Sequence, residues 1–228
     1  YRKRESKPLF EISFEISFSM YWIIMEEKEN KLINAIEAID YFENKRYEIV
    51  LGNSNKGQFS IEKTIVLEFS RENFFHLLGF QYISELNASS SNKATFIKLI
   101  TKHLKKKKSL IDNDSCKKIL LSTLFSQIEN RLELFSELKD CIELKPNKNN
   151  YWERDETFHT HTDIDWEYLI EFLPHNDPNF RKKYLFIKKD EHSDKFIPLS
   201  LFKTDDLRFS NNQARKDILA LKTFLYNA

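Results

Sequence analysis

The segment from residue 70 to residue 80 holds the strongest candidate for chemistry in this chain, His76. Ser70 can cap a helix here, because its hydroxyl can accept one of the backbone N–H groups left free in the first turn. Gly79 can end that helix, since glycine adopts the left-handed conformation without steric cost. His76 would then be held in a fixed geometry, and an imidazole is well suited to transferring protons near neutral pH. The alternative is a half-buried histidine that only packs on an amphipathic helix.

Three other residues could complete such a site. Arg131 has apolar neighbours on a predicted helix, and its guanidinium could clamp a phosphate through two parallel N–H groups. A salt bridge from Arg131 to Glu129 or Glu133 is the structural alternative. Ser200 alternates out of the apolar face of a predicted strand, and Gln213 starts the last predicted helix. Each of these residues alone is a weak signal.

A run of four lysines ends another predicted helix: Lys105, Lys106, Lys107 and Lys108. Cations are favoured at the negative end of the helix dipole, which explains the run structurally. The same run could follow a nucleic-acid backbone.

The candidates for metal binding are weak. His159, His161 and Asp163 supply two imidazoles and a carboxylate, but their surroundings are polar and no further ligand lies at a telling spacing. The two cysteines, Cys116 and Cys141, provide neither a metal-ligand spacing nor a disulfide framework. We therefore predict no metal and no cofactor, and a reducing cytoplasm as the location.

Composition indicates a soluble protein with a large aromatic core. The 228 residues include 20 Phe, 9 Tyr and 3 Trp, whereas only 3 Gly and 5 Pro argue against a loop-rich or disordered chain. Lys and Arg total 36 against 35 for Asp and Glu, so any contact with nucleic acid must depend on a local patch. No apolar stretch is long enough to span a membrane or to act as a signal peptide, and we expect no membrane contact.

Hydrophobic periodicity predicts an α+β fold, an antiparallel sheet with N-terminal and central helices packed on it. The predicted helices cover residues 26–43, 71–78, 94–106, 116–139, 164–172 and 211–225. The predicted strands cover residues 47–51, 59–69, 184–188 and 196–202, with a turn at 52–57 and irregular structure at 146–162. The two hairpins, 47–69 and 184–202, should belong to one sheet that packs against the 116–139 helix.

The N-terminal residues are predicted to stand apart from the domain. Apolar residues alternate strictly with Glu and Ser from Phe10 to Phe18, which is typical of a half-buried strand. The alternation is also a tandem Glu-Ile-Ser-Phe repeat, so it could instead have been introduced by cloning. We therefore divide the chain into an extension at 1–24 and a single domain at 25–228.

Taken together, these motifs resemble a known group of families. A helix, a β-hairpin and then Asn73-Phe74-Phe75-His76-Leu77-Leu78-Gly79 resemble the opening of the phage-associated nucleases grouped with barnase, EndoU, the RNA-cutting colicins and RelE. Within them, the similarity is to the group whose signature is an Asn-Phe-x-His-Leu-x-Gly helix. The segments around Arg131, Ser200 and Gln213 resemble that group's arginine-containing helix, terminal strand and final helix start. The resemblance covers about residues 26–225 and excludes the lysine run.

The resemblance implies a small metal-independent endoribonuclease, a toxin or phage-related effector, with an antitoxin or immunity protein as a candidate partner. Such enzymes align the RNA 2′-OH for attack on the adjacent phosphate. On this chain His76 would be the general base or acid, and Arg131 would bind the scissile phosphate. Ser200 and Gln213 would position the phosphate or a base edge. The alternatives are a non-catalytic RNA-binding domain that uses the lysine run and a protein-interaction domain in which His76 and Arg131 fill the core.

Overall fold

The computed structural model describes residues 9–55, 58–86, 92–106, 109–144, 149–158, 162–172, 182–204 and 206–225. These residues form five α-helices and seven strands. The helices are α1 (Leu9–Glu43), α2 (Arg71–Leu77), α3 (Lys93–Lys105), α4 (Asp114–Leu121) and α5 (Phe125–Lys139). The strands are β1 (Lys45–Asn55), β2 (Gln58–Glu68), β3 (Asn149–Glu153), β4 (Tyr168–Phe172), β5 (Lys182–Lys189), β6 (Phe196–Thr204) and β7 (Ala214–Leu225).

Helix α1 is longer than predicted. The predicted helix at 26–43 is confirmed, but the strand predicted around Phe10–Phe18 is wrong, because the helix begins at Leu9. The same segment also repeats phenylalanine every four positions in the sequence, a period that is compatible with a helix as well as with a strand. Farther along, the apolar face of α1 is fully buried at Leu32, Ala35, Ile36, Ile39 and Phe42.

The first hairpin is confirmed, and its first strand extends beyond the prediction at both ends. Strands β1 and β2 pair antiparallel, with Ile49 opposite Ile65. The predicted turn is partly wrong, since β1 continues to Asn55. Gly52 instead marks a shift in the pairing register, at a point where a Cβ atom would collide with the carbonyl oxygen of Ser60. A glycine inside a strand often marks such a close approach.

The predicted long central helix is two helices. Asn113 caps α4, because its side chain accepts the backbone amides of Ser115 and Cys116. At Ser122 the backbone becomes extended and the chain turns into α5. The Ser122 hydroxyl accepts the amide of Leu124 at 3.1 Å and donates to the Glu85 carboxylate at 3.1 Å. This buried serine offers the backbone an alternative to the helix, which is why the helix breaks here.

Three strands were not predicted. Strand β3 lies in the region predicted to be irregular, and β4 and β7 replace two predicted helices. All five residues of β4 are buried, so the strand lacks the alternation that identifies a half-exposed strand.

All seven strands belong to one sheet, which confirms that the two predicted hairpins share it. The strand order β1-β2-β6-β5-β4-β3-β7 closes on itself, because β7 also pairs with β1. Neighbouring strands run antiparallel except β2 and β6, which are parallel and meet at Leu67 and Phe196. Helix α5 packs against β6, and α1 packs against α5.

Two apolar clusters lie on opposite faces of the sheet. The main core combines the helices with side chains from every strand, including Ile170 of β4 and Leu185 of β5. The smaller cluster uses other residues of β3, β4, β5 and β6, with Trp166 and Phe209 packed on them. None of the helices within the described ranges combines the length and the apolar composition needed to cross a membrane.

Candidate active site

The start of α2 is fixed by a reciprocal cap. The backbone amide of Asn73 donates to the Ser70 hydroxyl at 3.4 Å, and the backbone amide of Ser70 donates to the Asn73 side chain at 2.9 Å. Phe74, Phe75 and Leu77 bury the inner face of this short helix. The predicted Ser70 cap is confirmed, and the helix holds His76 in its last turn.

Gly79 ends the α2 segment and lies against Arg131. Its φ of 77° is in the left-handed region, and its amide donates to the His76 carbonyl at 3.0 Å. A Cβ atom at this position would lie 2.8 Å from the Arg131 Cδ and 3.1 Å from a methyl group of Ile128. The predicted glycine terminus is therefore confirmed. It also allows the chain just after His76 to approach the arginine.

His76 is half-buried and contacts a lysine. Its Nε2 lies 2.9 Å from the Lys93 Nζ, and its ring meets Phe75 edge to face. An ammonium group has no acceptor, so it must be the donor, and His76 must be neutral with its proton on Nδ1. Burial lowers the pKa of His76, the Lys93 charge lowers it further, and Glu72 opposes both effects.

Arg131 is a mostly buried cation without an ion-pair partner among the described residues. Glu129 and Glu133, its candidate partners from the sequence, both bind Lys31, at 2.6 and 2.9 Å. That structural alternative is therefore wrong. Burial lowers the pKa of Arg131, and an ion pair would have had the opposite effect.

The neutral groups around Arg131 provide only weak hydrogen-bond acceptors for its guanidinium. Its Nη1 lies 3.5 Å from the Ser200 hydroxyl, and its Nη2 lies 3.5 Å from the Tyr82 hydroxyl. Its guanidinium carbon lies 5.3 Å from the centre of the Tyr82 ring. Both hydrogen bonds are at the long end of the range, so the donors remain available to a stronger acceptor.

A bulge in β6 accounts for the position of Ser200. Phe186 pairs with Ser200 and Ile187 with Pro198, so Leu199 is an extra residue between the two pairs. Leu199 packs on the smaller cluster, whereas Ser200 contacts Arg131 on the helix side of the sheet. Bulges commonly redirect a side chain in this way.

Gln213 does not begin a helix, because β7 follows it. Its side-chain oxygen accepts the amide of Asp155 at 2.7 Å, and its buried Nε2 has no partner among the described residues. No hydrogen bond within these residues connects Gln213 to His76, Arg131 or Ser200. The structure thus joins Arg131 to Ser200 directly and to the His76 helix through Gly79, but leaves Gln213 outside this group.

The lysine run is described only in part. Lys105 pairs with Asp40 at 2.9 Å, and Lys106 is exposed. Lys107 and Lys108 lie outside the described residues. So do His159 and His161 of the candidate zinc tract, and no group of three potential metal ligands occurs in the part of the chain that the structure describes.

Sequence reasoning missed Lys93 and Tyr82. Lys93 opens α3, where the helix dipole favours acidic side chains over basic ones. A lysine in this unfavourable position was a signal that could have been used. Tyr82 follows Gly79 by one short turn and carried no comparable signal.

The fold and these side chains define a class of protein: an α+β protein that holds a histidine and an arginine beside one sheet. Because no carboxylate among the described residues pairs with the arginine, this arrangement is suited to binding an anion. The family model described as phage-Barnase-EndoU-ColicinE5/D-RelE like nuclease4 matches residues 31–224, and the chain belongs to this family. Membership supports a nuclease-type function and a nucleic-acid substrate. Neither the curated proteins nor the solved structures gave a match.

Proposed function

We propose that the protein is a metal-independent endoribonuclease that cleaves RNA through attack of the 2′-OH on the adjacent phosphate. The observation that carries the proposal is Arg131, a mostly buried guanidinium with no carboxylate partner among the described residues. Burying an unpaired charge is costly, and a bound phosphate would offset that cost with two parallel hydrogen bonds. The nuclease family supports the choice of a phosphodiester as the ligand.

Each residue of the site has a proposed role. His76 acts as general base or acid at the ribose or leaving oxygen. Arg131 binds the scissile phosphate and stabilises the negative charge that develops on it. Ser200 lies 3.5 Å from the guanidinium and would donate to the same phosphate. Gln213 remains a predicted contact for the phosphate or a base edge, although its described hydrogen bond is to Asp155.

The chemistry balances without a metal ion. The 2′-oxygen loses its proton to a base and forms a bond to phosphorus, the bond to the 5′-oxygen breaks, and the released 5′-oxygen takes a proton from an acid or from water. A 2′,3′-cyclic phosphate and a 5′-hydroxyl result. Because the RNA supplies its own nucleophile, DNA would not be cleaved by this route.

Cleavage of total cellular RNA by purified protein in EDTA tests the proposal. Wild type should produce fragments with cyclic phosphate ends, and His76→Ala should cleave at least about a hundredfold more slowly, the usual scale of acid–base contributions. The matched control is His103→Ala, because the Nε2 of His103 hydrogen-bonds to the Ser109 carbonyl and not to a residue of the proposed site. A folded, fully active His76→Ala would overturn the role of His76. Cleavage that requires zinc or magnesium would overturn the metal-independent route.

A biological role as a toxin or phage-related effector follows from the same proposal. Such a protein would act on RNA in the cytoplasm and would need an antitoxin or immunity protein in the cell that makes it. Expression of wild type should arrest growth, whereas His76→Ala should not. Growth unaffected by an active, soluble wild type would contradict the toxin role.

One observation favours a second candidate, a non-catalytic RNA-binding domain. In the free protein the Lys93 ammonium hydrogen-bonds to the His76 Nε2, so this nitrogen is not available to accept a proton from RNA. If RNA binds through Arg131 and the lysine run but is recovered intact, this second function is the correct one.

A further inference from the structure

We propose that Lys93 is a positioning residue that keeps His76 neutral and so makes it the general base, not the general acid, of the site. This inference rests on the proposed ribonuclease function and resolves a choice that the sequence left open. It gives a role to a lysine to which sequence reasoning assigned none.

The contact itself fixes the form of the imidazole. The Lys93 ammonium donates to the His76 Nε2 over 2.9 Å, so the lone pair of Nε2 points at Lys93 and the ring proton is on Nδ1. A protonated ring would direct its Nε2–H donor and a second positive charge at the ammonium. The folded chain therefore presents His76 as a proton acceptor.

The surroundings of Lys93 strengthen this preference. No carboxylate among the described residues pairs with its ammonium, which lies 5.8 Å from the centre of the Phe75 ring. Its charge is therefore not cancelled locally. Glu72, one turn before His76, is exposed and favours the protonated ring only as the last and weakest of the effects. Strand β6 also packs on α2 but contributes no charge that shifts the pKa of His76 among these residues.

Binding of RNA would release the His76 Nε2 from its hydrogen bond with Lys93. A phosphate is a better partner for an ammonium group than a neutral imidazole, because the hydrogen bond becomes charge-assisted on both sides. As the ammonium turns toward the backbone of the RNA, Nε2 becomes available to the 2′-OH. The proton moves from that hydroxyl to Nε2, the 2′-oxygen bonds to phosphorus, and the released 5′-oxygen takes a proton from water.

The test combines NMR titration of the His76 ring with the pH dependence of kcat/KM, for wild type, Lys93→Met and Lys93→Arg. His76→Ala identifies the signal. Loss of the charge in Lys93→Met should raise the pKa of His76 by roughly one pH unit. The acidic limb of kcat/KM should move to higher pH by the same amount, since a base must be deprotonated.

Lys93→Arg, which keeps the charge, should leave the pKa of His76 and the acidic limb near their wild-type values. Lys98→Met, at an exposed position of the same helix, is the matched control and should change neither.

Several results would overturn the inference. The first is an unchanged pKa of His76 in Lys93→Met. The second is a pKa that rises while the acidic limb of kcat/KM stays in place. The third is a shift confined to the alkaline limb, which would identify His76 as the acid. A wild type that cleaves no RNA would refute the proposed function instead. The titration needs no substrate and would still decide whether Lys93 controls the charge of His76.

Discussion

Arg131 is the residue whose energetics most clearly separate function from stability. Its guanidinium is partly desolvated, no carboxylate among the described residues pairs with it, and its two long hydrogen bonds to neutral hydroxyl groups recover little of the lost hydration. A core residue selected only for packing would not carry this cost. The balance changes when an anion binds, because the same desolvated surroundings strengthen its attraction to the guanidinium.

Replacement of Arg131 by methionine should therefore have opposite effects on stability and activity. Arg131→Met removes a partly buried charge while keeping most of the packing volume, so the melting temperature should stay level or rise. Cleavage should fall on the order of a hundredfold or more, because the charge on the phosphate loses its stabilisation. Thermal unfolding and cleavage are measured on the same preparation.

Arg131→Lys is the control for charge alone. It keeps a cation but replaces the planar fork by a point charge, and its cleavage rate should lie between those of wild type and Arg131→Met. Unimpaired cleavage by a folded Arg131→Met would remove this residue from the mechanism. A collapse in melting temperature would show that its role is structural.

At the scale of elements, α2 carries the strongest agreement between sequence and structure. Both of its ends are determined by local chemistry, the Ser70–Asn73 cap and the left-handed Gly79, and such signals lie within ten residues of each other. The close approach of Gly79 to Arg131 was not visible in the sequence, because it depends on how α5 packs.

Substitution of Gly79 tests whether α2 and Arg131 work together. Gly79→Ala forces a left-handed conformation on a residue with a side chain, which costs about 1–2 kcal/mol, and its Cβ pushes on the Arg131 Cδ. Both stability and cleavage should fall. Ser70→Ala is a matched control, because loss of the cap costs about 1 kcal/mol without touching Arg131.

The comparison is made at a temperature where both variants are folded. Gly79→Ala should then lose roughly tenfold or more of the kcat of Ser70→Ala, in line with the sensitivity of phosphate stabilisation to geometry. Equal kcat values in the two variants would show that the contact between Gly79 and Arg131 does not matter for catalysis.

The elements that sequence reasoning got wrong share a physical cause. Strand β4 is buried on both faces, so it carries no alternation, and tertiary pairing rather than local preference makes it a strand. Residues 214–225 form a strand for the same reason, because they pair with β1 and β3. The break at Ser122 and the bulge at Leu199 depend on partners distant in the chain, Glu85 and β5. Local caps were predictable, whereas these long-range choices were not.

At the scale of the whole molecule, the strand order of the sheet determines which candidate site residues lie close together. Strand β6 brings Ser200 to Arg131, although 69 positions separate the two residues in the chain. Two strands separate β6 from β7 by the shorter route around the closed sheet, so Gln213 lies elsewhere. Spacing in sequence could supply the residue types but not this grouping.

The division of the chain at residue 25 remains a proposal. The boundary falls inside α1, and the family match starts at residue 31. Among the side chains that the structure describes, from residue 20 onward, Met25 is the first in the main core, and the five apolar side chains just before it are exposed: Met20, Tyr21, Trp22, Ile23 and Ile24. Deletion of residues 1–24 should therefore leave melting temperature and cleavage nearly unchanged. Loss of cooperative unfolding in the shortened chain would show that these residues belong to the domain.

The lysine run belongs to the same scale, because the whole chain has a net charge of only +1 and offers RNA no general attraction. Replacement of Lys105, Lys106, Lys107 and Lys108 by serine should weaken RNA binding. It should also reduce the slope of log K against log salt by about 0.7 for each phosphate of a single strand that the protein no longer neutralises. Lys105 already pairs with Asp40 and should contribute least. Single-turnover cleavage at saturating protein should be spared, since we assign the run to RNA binding and not to proton transfer or phosphate stabilisation. Binding measured by fluorescence anisotropy across a salt series gives the slope, with Lys117→Ser and Lys118→Ser on α4 as exposed controls.

An unchanged slope would mean that the lysine run is only a solvated helix end. A strongly reduced single-turnover rate would instead place the run within the catalytic site.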